Sequence, residues 1–130
     1  MLFPITHDPD IVVTRQTGRQ LAQEMGFTPV EATMIATAIS EVARNILIYA
    51  GTGEVLIEEA EQDGRRGLRV VARDEGPGIS DVSKALQDGF STGAGLGLGL
   101  PGARRLMDEL DLSSAPGRGT TVTMARWVRG

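Results

Sequence analysis

The feature that most constrains the fold of this chain is a concentration of glycine between Asp74 and Gly102. Eight of the chain's 17 glycines lie in this stretch, which begins Asp-Glu-Gly-Pro-Gly-Ile and ends Gly-Leu-Gly-Leu-Gly-Leu-Pro-Gly. Because glycine loses the most conformational freedom on folding, it is concentrated where a backbone bends sharply or approaches another group closely. A helix is predicted to follow, with proline in its first turn. A glycine-rich loop that leads into a helix predicts an anion site, and we interpret the anion as a nucleotide polyphosphate.

Two long helices are predicted in the N-terminal half of the chain. The first is capped by Asp8 or Asp10 and ends near residue 25, with Val13 on its inward face. The second has Thr28 as its N-cap and proline at its first position. Its apolar stripe begins at Val30 and keeps helical period for about five turns, up to a glycine at position 51.

The remaining elements are short. Two strands joined through Asp63 and Gly64 predict an antiparallel hairpin. The predicted order is strand, two helices, two strands, helix and two strands, which indicates an α+β fold: a two-layer α/β sandwich with helices on one face of a mixed, largely antiparallel sheet. The strands are predicted at residues 2–5, 54–60, 67–73, 110–114 and 120–128, and the helix between the last four strands at residues 101–109. A further short helix, not counted in this order, is predicted at residues 80–87.

Length and composition narrow the class of protein. With 130 residues the chain is expected to form a single domain, 1–130. A formal charge of −4 argues against nucleic acid or an anionic membrane as a partner, since the nearest approach to a basic patch is three arginines near the predicted hairpin tip. Cysteine is absent, and no apolar run reaches the roughly 18 residues of a membrane span. We therefore expect a soluble, cytoplasmic protein.

Polar residues on the second helix and beside the first glycine cluster could carry chemistry. Glu41 and Asn45 are four residues apart and project from one helix face. A carboxylate can accept a proton and an amide oxygen can ligate Mg²⁺, although such a pair is also common on a solvated helix edge. Asp74 either holds an Asx-turn or accepts a hydrogen bond from the exocyclic amine of adenine, with Gly78 allowing the base to approach.

Three familiar motifs do not account for the second glycine cluster. Residues 97–102 match G-x-G-x-x-G, but no buried strand precedes them and no acidic residue follows about 20 positions later, as a dinucleotide fold requires. No Gly-Lys-Ser/Thr follows the glycines, which excludes a P-loop. No His-Arg-Asp or Asp-Phe-Gly is present, which excludes a eukaryote-type protein kinase.

Taken together, these motifs resemble those of the GHKL ATPase superfamily, which has the Bergerat nucleotide-binding fold. The N-box is Glu41–Asn45, the first glycine box is Asp74–Gly78, the second is Gly97–Leu100, and Gly119-Thr120-Thr121 resembles the turn at the adenine end. Within that superfamily the chain is most similar to the RsbT-type serine/threonine switch kinases of bacterial stressosome partner-switching systems. Residues 39–46, 49–51, 88–92 and 97–109 carry this similarity.

The resemblance implies ATP and Mg²⁺ as cofactors. By this similarity Glu41 is the catalytic base and Asn45 ligates the metal, while Asp74 and Gly78 hold adenine with Thr121 or Thr120 beside it. The backbone N–H groups of the second box would meet the phosphates. The other implied nucleotide-binding residues are Gly76, Ile79, Gly95, Gly97, Leu98, Gly99 and Leu100.

The resemblance also implies protein partners. STAS-domain proteins would be the substrates and binding partners, and a PP2C-type phosphatase regulator would be an alternate partner. The alternative is a nucleotide-gated sequestering module or an anti-sigma factor. The chain departs from related anti-sigma kinases in having Gly93, Ala94 and Gly95 where they carry an arginine that can reach the γ-phosphate, which leaves Arg44 as a candidate for that role.

Overall fold

The computed structural model describes residues 1–76 and 99–129. Its strands are β1 (Leu2–Ile5), β2 (Gly53–Gln62), β3 (Arg65–Asp74), β4 (Glu109–Ser114) and β5 (Thr120–Trp127). Its helices are α1 (Asp8–Met25), α2 (Pro29–Tyr49) and α3 (Gly99–Leu106). The strands form one sheet in the order β1-β2-β3-β5-β4, and every pairing between them is antiparallel. The α+β prediction is confirmed.

The core lies between the helices and one face of the sheet. Alternate residues of the central strands point toward α2, among them Val55, Ala72 and Val122, which share one row across β2, β3 and β5. From the helix side, Ile35 and Ile39 are fully buried against this face. Within the described parts of the chain, no helix is both long and apolar enough to cross a membrane.

The β2–β3 hairpin forms as predicted. Asp63 has a φ of 55° and Gly64 a φ of 77°, so both turn residues are left-handed, as in the two-residue turns that match the twist of the flanking strands. Asp63 tolerates this conformation better than most non-glycine residues do. The strands are longer than predicted and pair continuously from Gly53 with Asp74 to Gln62 with Arg65.

The first helix differs from its prediction in its cap. His7, not Asp8 or Asp10, is the N-cap residue. Asp10 instead reaches back from the third helical position and accepts hydrogen bonds from the backbone N–H groups of Thr6 (2.9 Å) and His7 (3.3 Å). A carboxylate at the third helical position can reach the N–H groups that precede the helix, in the same way that a cap residue reaches the N–H groups of the first turn.

Two predicted inward residues are exposed. Val13 is 54% exposed because α1 packs on α2 through Thr14 and Gly18, not through Val13. Gly18 lies so close to Ile39 that a Cβ would overlap its side chain, and the Thr14 hydroxyl is satisfied by the carbonyl of residue 10. Val30 is 69% exposed, whereas Ala32 in the same turn of α2 is fully buried, so Val30 lies on the solvent side of that turn.

The second helix begins and ends as predicted, whereas α3 does not. Thr28 and Glu31 form a reciprocal capping box at the start of α2, with distances of 3.1 and 3.0 Å. The prediction of a helix from residue 101 to about 109 was wrong at both ends. Helix α3 starts at Gly99 and ends at Leu106, and Glu109 already pairs with Ala125 in the sheet.

Candidate nucleotide and catalytic site

Glu41 lies at the centre of the candidate site. It is only 6% exposed, and its two carboxylate oxygens accept from donors on two different helices. Oε2 accepts the backbone N–H of Gly99 at 2.7 Å, and Oε1 accepts from Nη1 of Arg44 at 2.9 Å. The predicted base therefore contacts the first residue of α3, which is also part of the second glycine box.

Asn45 lies one turn after Glu41 on the same side of α2 and is partly exposed. Its amide oxygen is a hard ligand of the kind that Mg²⁺ accepts. Among the described residues, no group of three or more histidine, cysteine, aspartate or glutamate side chains could hold a metal by itself.

Asp74 lies at the end of β3, and its side chain forms the Asx-turn considered above. Oδ1 accepts the backbone N–H of Gly76 at 2.9 Å. A carboxylate has a second acceptor oxygen, so this turn leaves Asp74 able to accept from the amine of a base. The Asx-turn and the adenine role are thus compatible rather than alternatives.

Glycines bring α2 and Asp74 together. A Cβ on Gly76 would stand 2.6 Å from Cβ of Ala50, and a Cβ on Gly53 would stand 2.7 Å from Cγ2 of Ile46 and 3.2 Å from Cβ of Asp74. The space for a side chain is absent at both positions, so this end of β2 and β3 is in direct contact with the end of α2. Gly53 is not among the predicted site residues, although a Gly-Thr-Gly run after a helix is a signal for close backbone approach.

Strand register separates the two candidate threonines. Thr120 pairs with Asp74 and lies in the same row as Gly53, on the face toward α2. It is buried, and its hydroxyl is 2.9 Å from the hydroxyl of Ser114. Thr121 pairs with Arg73 and, because side chains alternate along a strand, lies on the opposite face. Thr120 is therefore the threonine beside Asp74.

Helix α2 connects the described ends of the two glycine boxes. Gly99 contacts it at Glu41, and Gly76 packs on Ala50, the C-cap residue that follows it. These two contacts are nine residues apart, which corresponds to about 13 Å along the helix axis. The side chain of Leu100 is buried in the core and is not available to a ligand. Predicted positions outside the described residues are Gly78, Ile79, Gly95, Gly97, Leu98 and the short helix at residues 80–87.

A known family model matches the sequence of this chain. The model of the histidine kinase-like ATPase domain matches residues 5–126, which include every candidate site residue named above. The chain belongs to this family. Membership implies that the chain uses ATP.

Two relatives indicate the kind of activity to expect within this family. The chain is 52% identical over 120 residues to the serine/threonine-protein kinase RsbT of Bacillus subtilis, covering 92% of this chain and 90% of that protein. It is 35% identical over 113 residues to the anti-sigma F factor of Caldanaerobacter subterraneus, covering 82% and 78% of the two chains. The family and the first relative together indicate a protein kinase.

Two solved structures share the fold at low sequence identity. A structure of the RsbU and RsbW domains of a Mycobacterium tuberculosis protein has a TM-score of 0.65 at 22% identity, and covers all of this chain and 33% of that one. The mycobacterial sensor histidine kinase MprB has a TM-score of 0.59 at 15% identity, and covers 99% and 97% of the two chains. At these identities the similarity supports the fold alone.

Proposed function

We propose that the chain, acting as one domain, is an ATP- and Mg²⁺-dependent serine/threonine kinase that phosphorylates STAS-domain proteins in a bacterial partner-switching pathway. The similarity to RsbT supports the serine/threonine specificity. A phosphorylated partner would be released, and a second partner such as a PP2C-type phosphatase regulator would be bound instead. The cytoplasmic location stays a prediction from the sequence.

One observation carries this proposal: the hydrogen bond between the Glu41 carboxylate and the Gly99 backbone N–H. It joins a buried carboxylate, which can act as a base, to the glycine-rich segment at the start of a helix. Because the Gly99 N–H already donates to Glu41, the phosphates would be met by the neighbouring N–H groups of the second glycine box, which would make the reacting phosphate and the base neighbours. Phosphoryl transfer depends mainly on positioning and charge neutralisation, which this geometry can supply.

Each residue has a separate task in the proposed reaction. Asp74 would accept from the adenine amine through the carboxylate oxygen that the Asx-turn leaves available, with Thr120 beside it. Asn45 would hold Mg²⁺, which supplies charge neutralisation at the phosphates. Glu41 would accept the proton of the substrate hydroxyl as its oxygen bonds to the γ-phosphorus of ATP, while the bond from that phosphorus to ADP breaks.

A second candidate function is a nucleotide-gated sequestering module or an anti-sigma factor. The 35% identity to an anti-sigma F factor favours it. A module that only sequesters a partner needs the nucleotide-binding residues but no base. The Glu41 side chain therefore separates the kinase from a purely sequestering module, whereas an anti-sigma factor that both phosphorylates and sequesters its partner would also need the base.

The base assignment is tested with Glu41→Ala and Glu41→Gln. Both variants should bind ATP and lose phosphotransfer by roughly 10²- to 10⁴-fold, the usual contribution of a general base. Glu41→Gln is the sharper variant, because its amide oxygen can still accept from Gly99. Transfer would be followed by mass spectrometry, as phosphoserine or phosphothreonine on STAS proteins encoded near this one. If Glu41→Gln transferred phosphate at the wild-type rate, Glu41 would not be the base and a different mechanism would be favoured.

The metal assignment is tested with Asn45→Ala. The variant should bind Mg-ATP more weakly while its affinity for metal-free nucleotide changes little, since only the metal ligand is lost. Isothermal titration with and without Mg²⁺ separates the two affinities. Equal Mg-ATP affinity in the variant and the wild type would count against a metal role for Asn45.

A further inference from the structure

Arg44 lies over the Glu41 carboxylate. Its Nη1 is 2.9 Å from Oε1 of Glu41, three residues earlier on the same helix. Helical side chains lean toward the N-terminus, so an arginine at this spacing reaches back over the earlier side chain without strain. The Glu41 side chain is 7% exposed and that of Arg44 is 35% exposed, so the guanidinium stands at the solvent edge of a buried carboxylate.

The second oxygen of Glu41 is held from the other direction. The Gly99 N–H at 2.7 Å belongs to α3 and is part of the backbone, so it cannot rotate away as a side chain can. Two donors on two helices therefore fix both the position and the plane of the carboxylate. Catalytic groups need this kind of support, because a displacement of about 1 Å can cost on the order of 10²-fold in rate.

The buried Glu41 carboxylate also needs the positive charge of Arg44 as its partner. A buried carboxylate is costly unless it is paired, and Arg44 is the cation within hydrogen-bonding distance of it among the described residues. Without Arg44, Glu41 would gain by turning toward water, and in turning it would release Gly99. The guanidinium thus stabilises the orientation of Glu41 as well as its charge.

We propose that Arg44 is a positioning residue: together with the Gly99 N–H, it holds the Glu41 carboxylate in the orientation needed to accept the substrate proton. This inference rests on the proposed function, in which Glu41 is the base. It replaces the sequence-based candidate role of Arg44 as the cation that meets the γ-phosphate. A positioning residue changes the chemical step, whereas a phosphate-binding cation changes the affinity for ATP.

The test uses Arg44→Ala, Arg44→Lys, Glu41→Gln and the double variant Arg44→Ala/Glu41→Gln. Arg44→Ala should lower kcat by roughly 10- to 100-fold with less than about a threefold change in KM for ATP. Arg44→Lys should restore part of the loss, since a lysine keeps the charge but not the geometry of the guanidinium. In the Glu41→Gln background, Arg44→Ala should cause no further loss, because its effect passes through Glu41. Arg19→Ala, which removes an exposed arginine of α1, is the matched control and should leave kcat unchanged.

A second measurement does not depend on catalysis. In the nucleotide-free protein, the backbone amide resonance of Gly99 reports its hydrogen bond to the carboxylate, and Arg44→Ala should shift it while Arg19→Ala should not. An unshifted Gly99 resonance in Arg44→Ala would overturn the proposal, as would a further loss of kcat in the double variant. An Arg44→Ala protein that loses affinity for ATP but not for ADP would also overturn it and assign Arg44 to the γ-phosphate. Failure of the proposed function looks different: Glu41→Gln would then transfer phosphate normally, whatever Arg44 does.

Discussion

Substitution of Gly119 by alanine should be far more damaging than the same substitution at Gly117. Both glycines lie in the turn between β4 and β5, and both have a left-handed backbone, with φ values of 74° and 77°. They differ in the space around them. A Cβ on Gly117 would meet nothing within 4 Å, whereas a Cβ on Gly119 would overlap the carbonyl oxygen of Asp74 and stand 2.9 Å from Cα of Glu75.

The magnitude follows from these two terms. Each alanine has to adopt a left-handed conformation, which costs about 1–2 kcal/mol of folding free energy. Gly119→Ala also inserts a methyl group against backbone that is held in the sheet, and such overpacking costs about 1–3 kcal/mol more. We therefore expect losses of about 1–2 kcal/mol for Gly117→Ala and about 2–5 kcal/mol for Gly119→Ala.

Urea denaturation of both variants and the wild type measures the two losses. Binding of a fluorescent ATP analogue provides the second measurement. Because the clash displaces the backbone of Asp74, Gly119→Ala should weaken nucleotide binding, and Gly117→Ala should not. Equal loss of stability in the two variants would refute the argument that the close approach at Gly119, rather than its φ alone, requires glycine.

Two further predictions concern stability. Arg126 is largely buried and donates hydrogen bonds to the carbonyl of Leu106 (2.8 Å) and to the carboxylate of Glu31 (3.4 Å). Arg126→Met should therefore lower the free energy of unfolding, measured by urea denaturation, by about 1–3 kcal/mol. An unchanged free energy of unfolding would mean that these hydrogen bonds make no net contribution to stability. The pKa of Asp10 is lowered from its usual 3.8 to about 2, chiefly by the hydrogen bond from the backbone N–H of Thr6. The charged carboxylate therefore stabilises the folded state above pH 3.8, and this contribution is lost as the pH falls toward 2. The stability difference between the wild type and Asp10→Asn should shrink over that interval, and a constant difference would contradict the assignment.

Local sequence signals were sufficient for most of the elements. The Asp-Gly turn and the Thr28–Glu31 capping box act between residues a few positions apart, and the structure contains both. The orientation of α1 could not be predicted in the same way. Its sequence is compatible with an inward Val13, and only the close fit of Gly18 against Ile39 shows which face is buried.

For the candidate site, too, some features follow from the sequence and others only from the tertiary structure. The residue types of the boxes, and hence the family and the use of ATP, are properties of the sequence, because each box is a short contiguous motif with its own local backbone requirement. Tertiary structure alone decided that Glu41 contacts Gly99, 58 positions later, and that Thr120 rather than Thr121 lies beside Asp74. The physical reason is that helix packing and strand register are set by the fit of distant surfaces, and a shift of one residue in a strand moves a side chain to the other face.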